Sequence, residues 1–166
     1  GDVYEGPFVD GKRHGEGTYR WADGAYYTGA WVENLRTGNG VMVYSSGSRY
    51  EGQFVNGKLH GTGTYTWTDG ARYVGSYVDG QRHGQGKMKY SDGAVYEGNW
   101  AGGKRNGQGT MVYANGNRYT GDWVENKRTG QGTFLWASGD KYTGDWVEDQ
   151  RTGPGTYTWA SGGSHT

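Results

Sequence analysis

The side chains of this sequence best suited to chemistry are His14, His60 and His83, together with the carboxylates Asp10, Glu33, Asp79, Glu125 and Glu148. Imidazoles and carboxylates are common metal ligands and the usual general acids and bases. Both sets recur at multiples of 23 residues. A catalytic centre gathers unlike groups at one point, whereas a regular column spreads like groups along a line. If one interval spans two strands of a sheet, neighbouring copies stand roughly 9 to 10 Å apart. Two ligands of one zinc, each bonded at about 2.1 Å, cannot be so far from each other. These residues are expected to be loop groups, solvated or hydrogen-bonded. No Ser-His-Asp arrangement stands out, and Gly-x-Gly pieces such as Gly61 to Gly63 have no following helix to cradle a phosphate. The sequence therefore predicts no enzyme, no catalytic residue, no metal and no cofactor.

Two other sets could bind rather than react. The first is aromatic: Trp31, Phe54, Tyr77, Trp100, Trp123 and Trp146 are rigid amphipathic rings, good anchors for a peptide or a helix in a concave groove. The second is basic: Arg13, Arg36, Arg82, Arg105, Arg128 and Arg151, assisted by Lys12, Lys58, Lys104 and Lys127, could meet a row of lipid phosphates. Acidic residues in the same loops would offset part of that potential.

The elements that must position these groups follow from an internal repeat. The pattern Tyr-x-Gly-x-aromatic begins at Tyr4, Tyr27, Tyr50, Tyr73, Tyr96, Tyr119 and Tyr142, always 23 residues apart. Such self-similarity marks a repeat architecture. Counting from the tyrosine, positions 3, 12, 14 and 21 are always Gly. Of the 26 aromatic residues, 25 fall at positions 1, 5, 16 and 18, the exception being Tyr26. The six rings above, with Phe8, occupy position 5, and the arginines occupy position 10.

Within the unit, Tyr50, Gly52 and Phe54 alternate with polar residues, as do Gly63, Tyr65 and Trp67. A period of two is that of β-strands. Asp-Gly and Asn-Gly pairs between repeats predict tight hairpin turns there, and a longer connection inside each repeat, as from Val55 to Gly61. Gly52 and Gly63 are expected to leave room for a neighbouring ring to lie across the backbone. The fold class is all-β: one elongated antiparallel sheet of about fourteen strands, seven 23-residue β-hairpin repeats in a curved rod or trough. Residues 1–166 form one array, with 163–166 a loose tail. Pro7 and Pro154 fall in terminal repeats, where a missing N–H costs no internal ladder bond, and this predicts that the array ends near both termini.

Composition agrees and narrows the partners. Only 32% of the 166 residues are hydrophobic, 35 are glycine, and 16% are aromatic, so burial must come from rings. Seventeen Lys and Arg balance seventeen Asp and Glu. Neutrality removes the long-range field that would draw the chain to nucleic acid. With no cysteine and no apolar run near the roughly 18 to 20 residues of a membrane helix, a soluble, cytoplasmic chain is expected. Open sheet ends predict a twofold dimer through a terminal repeat.

The column pattern, as in residues 4–24 with Tyr-Glu-Gly-Pro-Phe, Gly-Lys-Arg-His-Gly-Glu-Gly, a terminal Trp and Asp-Gly, resembles the MORN repeat, the membrane occupation and recognition nexus. The resemblance covers residues 4 to about 162. Departures are Thr in place of the histidine in repeats two, six and seven, Asn106 in repeat five, and Leu59 in place of the arginine in repeat three. They weaken the histidine column and leave rings and glycines intact. The resemblance implies a non-enzymatic scaffold. It implies a groove that takes a partner peptide or helix, with phosphoinositide membrane binding through the arginine column as the alternative. It also implies a place beside the cytoskeleton or a membrane.

Overall fold

A computed structural model describes all 166 residues. The chain divides into two compact units, Gly1–Arg82 and His83–Thr166. The first holds β1 (Val3–Glu5), β2 (Phe8–Val9), β3 (Lys12–Arg13), β4 (Gly15–Arg20), β5 (Tyr26–Val32), β6 (Leu35–Val43), β7 (Arg49–Val55), β8 (Lys58–Thr66) and β9 (Arg72–Val78). Strand β10 (Gln81–Lys89) crosses the division. The second unit continues with β11 (Val95–Ala101), β12 (Lys104–Val112), β13 (Arg118–Val124), β14 (Lys127–Leu135), β15 (Lys141–Val147), β16 (Gln150–Thr158) and β17 (Ser164–His165). Fifteen strands form one open antiparallel sheet in the order β1, β4, then β5 to β17 in sequence, and β2 pairs only with β3.

The strand count exceeds fourteen for local reasons. Residues 163–166 are not a loose tail, because β17 pairs with the end of β16, His165 opposite Tyr157 and Ser164 opposite Thr158. In the first repeat, Pro7 interrupts what is elsewhere one seven-residue strand, leaving β1 and β2 as fragments. Pro154 lies where β15 and β16 shift register after Gly144, so its missing N–H falls at an irregularity.

The two turn types are the reverse of the sequence expectation. Inside a repeat the connection is a two-residue turn: Val55 pairs with Lys58 across Asn56 (φ 49°) and Gly57 (φ 79°). Two successive left-handed residues make a type I′ turn, whose twist matches that of the flanking strands. Glu33–Asn34 and Glu125–Asn126 do the same with side chains in place of glycine. Between repeats the loop is longer. Trp67 accepts from Gly70 and donates to the carbonyl of Ala71, while the Asp69 carboxylate accepts from the Ala71 N–H. Only Gly70 (φ 93°) is left-handed there, so the Asp-Gly pair closes a type I turn instead of forming the I′ turn that its sequence suggested.

The second, third, fifth, sixth and seventh repeats each also carry a bulge. Gly52 faces Gly63, but Phe54 faces Leu59, so β8 has extra residues around Gly61 (φ 73°). The bulge brings position 10, arginine in six repeats, onto the face that carries the rings. On the opposite face Thr18 and Thr28 share a hydroxyl hydrogen bond of 3.0 Å, and Thr133 and Thr143 one of 3.0 Å. That face is solvated, and besides its threonines it exposes valines next to the position 5 rings, such as Val32, Val55 and Val124. The core lies on the ring face.

Candidate functional site

In the first unit Tyr27 and Tyr50 have no exposed surface, and each lies across the glycine at position 14 of its own repeat, Gly40 or Gly63. A Cβ at Gly63 would overlap the Tyr50 ring. Each phenol donates to a main-chain carbonyl three residues on, Tyr27 to Ala30 at 3.0 Å and Tyr50 to Gln53 at 2.9 Å. The position 5 rings fill the gaps edge-on. Phe54 meets Tyr50 of its own repeat at 5.2 Å and Tyr27 of the preceding one at 5.1 Å, both near perpendicular. In the second unit Trp123 lies in the same way against Tyr119 and Tyr96, at 5.2 and 5.5 Å. Its indole N–H donates to the Gly109 carbonyl at 3.2 Å. Burial pushes the phenols of Tyr27, Tyr50, Tyr73 and Tyr96 up to about 12, because the ionised form would have to lose its water.

The rings singled out as groove anchors are therefore covered. Trp31, Phe54, Tyr77, Trp100, Trp123 and Trp146 are each at most 4% exposed. Part of their cover is the arginine column. The Arg13 guanidinium sits 4.8 Å above Trp31, Arg105 lies 4.8 Å above Trp123, and Arg128 lies 4.8 Å above Trp146. The same groups donate to the turn of the following repeat: Arg13 to Asn34 O at 3.2 Å, Arg36 to Gly57 O at 2.7 Å, Arg105 to Asn126 O at 3.0 Å. Arg82 lies 5.9 Å over Trp67, and Arg151 packs on Trp136, Tyr142 and Tyr157. The column expected to offer a row of open headgroup contacts is thus half-buried through Arg128, and only Arg151 is exposed. Burial also draws the Arg36 guanidinium below its ordinary range.

Of the histidines, His60 Nδ1 accepts from the Asp79 main chain at 3.4 Å, a lock between turns. No group of three or more metal-ligating side chains converges. Lys127 faces Glu148 at 3.7 Å and Arg128 faces Asp149 at 3.1 Å.

The aromatic surface that solvent reaches lies at positions 16 and 18. Tyr19, Trp21, Tyr44, Tyr65 and Trp67 are half-buried in the first unit, as are Tyr90, Tyr113, Trp136 and Tyr157 in the second, and Trp159 is 41% exposed. They lie in tilted pairs, Tyr65 with Trp67 at 4.5 Å and Phe134 with Trp136 at 4.8 Å, and Trp136 stacks on Tyr157 at 5.3 Å. Two cavities open beside them. One, of about 220 Å³, has Trp31 as floor, Tyr19 and Trp21 as wall, and Arg13 and Arg36 at its ends. The other, of about 390 Å³, is built from the same repeat positions: Trp146, Phe134, Trp136, Arg128 and Arg151. The sequence held one signal for this row. Position 18 stands at the end of its strand and opens the turn between repeats.

The MORN repeat profile matches seven consecutive segments, residues 4–26, 27–49, 50–72, 73–95, 96–118, 119–141 and 142–164. The chain belongs to the MORN repeat family. No curated protein matches this MORN array in sequence. Among solved structures it is similar to the TCP domain of Drosophila melanogaster SAS-4 (dCPAP), determined in complex with a proline-rich motif of Ana2 (dSTIL). The TM-score is 0.55 at 15% identity, over 96% of this chain and 92% of that one. It also matches the TCP10 domain of Danio rerio CPAP, in complex with a peptide of STIL, at a TM-score of 0.36 and 11% identity, over 99% and 82% of the two chains. At these identities the likeness of the MORN array to its Drosophila neighbour is one of fold.

Proposed function

We propose that this MORN array is a non-enzymatic scaffold that binds a segment of a partner protein on its ring face, along the half-exposed row at positions 16 and 18. The observation that carries the reading is that row itself: an aromatic ring stands at position 18 of every repeat, half-buried in the first six, and where position 16 is also aromatic the two rings pair, as Tyr65 does with Trp67 and Phe134 with Trp136. Rings fixed by packing lose little freedom on binding, and an apolar body with a polar edge suits a peptide that is only partly desolvated. The Drosophila neighbour, a sheet of the same kind, was solved with a proline-rich motif bound, which supports a peptide as the ligand. The buried position 5 rings serve as the floor of this surface.

Selection of a displayed random-peptide library on the folded protein tests the reading. Enriched peptides should lose about tenfold or more in affinity when Trp67 or Trp136 is replaced by Ala. Peptides that bind both variants as well as the parent protein would put the ligand elsewhere, and a library that yields no binder would remove the function.

A further inference from the structure

Resting on the peptide-binding reading above, we infer that the ring face takes an acidic segment in the polyproline II conformation. The segment lies across the strands, with a proline at every third residue and carboxylates between the prolines. Three features converge on this occupant.

The first is period. Equivalent positions of consecutive repeats are two strands apart, about 9.6 Å. A polyproline II helix has three residues per turn and advances about 3.1 Å per residue, so it returns the same side to the surface about every 9.3 Å. Other peptide conformations miss this spacing. An α-helix advances about 9 Å in six residues, but the sixth points well away from the first, and the seventh overshoots at about 10.5 Å. An extended strand covers about 10 Å in three residues, but its side chains alternate, so the third step faces away.

The second feature is the chemistry of the cavities. In each, an indole at position 18 (Trp21 or Trp136) and a position 5 indole (Trp31 or Trp146) line one cavity together with two arginines, a slot part aromatic and part polar. A pyrrolidine ring fills such a slot without bringing an N–H that must be satisfied, and its fixed φ lowers the ordering cost. Polyproline segments dock on aromatic-lined surfaces for these reasons. The two cavities occur in different units at the same repeat positions, where Trp stands at both position 18 and the following position 5.

The third feature is charge. The charged side chains that the strands place on this face are arginines: Arg13, Arg36 and Arg82 in the first unit, Arg105, Arg128 and Arg151 in the second. The strand carboxylates Glu16, Glu51, Glu97, Asp122 and Asp145 fall at alternate positions, on the opposite face. Arg128 has a carboxylate within ion-pair distance, Asp149 at the turn. A cation stands at the end of each cavity, so a segment carrying carboxylates between its prolines is complementary in charge, whereas a basic proline-rich segment is repelled.

The test measures binding of fluorescent synthetic peptides to the whole protein. The probes are a repeating Pro-Ser-Glu peptide, a scrambled peptide of the same composition with its prolines clustered, the Pro-Ser-Lys counterpart, and an acidic amphipathic helix of equal length. The phased acidic peptide should bind about tenfold tighter than the scrambled one and lose affinity as salt rises. The lysine version should bind at least as weakly as the scrambled one. The Trp136→Ala variant should weaken the phased peptide by about tenfold while its thermal melt stays cooperative. If that variant fails to fold, the charge-reversed and scrambled peptides still decide the matter on the unaltered protein. Equal binding of phased and scrambled peptides, or preference for the helix, overturns the inference and leaves the peptide-binding scaffold standing. If none of these probes binds while library-selected peptides do, only the inference falls. If neither set binds, both fall.

Discussion

At the scale of single residues, the molecule is organised by what glycine lacks. Tyr50 lies over Gly63 with no room for a methyl group, whereas the inter-repeat turn at Gly70 has open space around its missing side chain. The two positions therefore predict different costs for the same substitution. Gly63→Ala forces a buried ring with no exposed surface out of its seat, and should destabilise the protein by about 3 kcal/mol, at the upper end for overpacked cores. Gly70→Ala meets no neighbour and costs only the left-handed backbone, about 1 to 2 kcal/mol. Urea midpoints of the two variants check this. A Gly63→Ala protein as stable as the Gly70→Ala one would mean that the Tyr50 ring is not held against the backbone. The arginines follow a similar logic. The guanidinium groups of Arg13, Arg36, Arg105 and Arg128 each shield an indole or phenyl ring and tie one turn, so their charge serves the packing of the face as well as any ligand.

At the scale of elements, the intra-repeat turn explains both a success and a failure of reading from sequence. The alternation of Tyr50, Gly52 and Phe54, and the need for glycine beneath a ring, were legible because period and side-chain volume are local properties. The turn types were not. An Asp-Gly pair serves a type I′ turn and a type I turn closed by a left-handed glycine equally well, and the choice depends on how far the strands run before they meet. The exposure of the position 5 rings was hidden for a related reason. Part of their cover is an arginine of the preceding repeat, such as Arg36 over Phe54, swung onto the same face by a bulge at a glycine such as Gly38, and a bulge leaves no mark on the alternation itself. The same turn yields a prediction. The Arg13 main-chain N–H bonds the Asn34 carboxamide at 2.9 Å, yet Arg13 Nε is buried without an acceptor, as is Arg105 Nε beside Asn126. One interval further on, Asp149 accepts from both the Arg128 main chain and Arg128 Nε, at 2.9 and 3.1 Å. Asp149 has φ 70° and Asn34 φ 71°, so the backbone already suits the exchange. Asn34→Asp should stabilise the protein by about 1 kcal/mol by satisfying a buried donor with a charge-assisted bond. The gain should shrink on acidification through the carboxylate range and in high salt, as read from thermal melts. A neutral outcome at low salt would mean that Arg13 Nε is satisfied by water.

At the scale of the whole molecule, the sheet is built from repeats that cannot bury their rings alone. Tyr27 leans on a ring of its own repeat, Trp31 at 5.1 Å, and on one from the next, Phe54 at 5.1 Å, and Tyr96 leans in the same way on Trp100 and Trp123. Stability is then shared between neighbours instead of residing in any one hairpin. Alkali is the condition that attacks this arrangement at several repeats together. Desolvation keeps the phenols of Tyr27, Tyr50, Tyr73 and Tyr96 neutral up to about 12, and it raises Tyr77 and Tyr119 further. In an unfolded chain the same phenols ionise near about 10. A group whose proton is held more tightly in the folded state contributes its full stability below the unfolded value, and that contribution disappears as pH rises towards the folded one. Several tyrosines acting in the same window make the loss steep. The protein should therefore be insensitive to pH up to about 10 and unfold cooperatively between about 10 and 12. The phenolate absorbance of these buried tyrosines should appear only in a step, at the pH where the sheet's circular dichroism collapses. Ionisation of all fifteen phenols with the sheet intact would mean that the buried ones reach water without breaking the contacts between repeats, and the ring column would then not be what holds successive hairpins together.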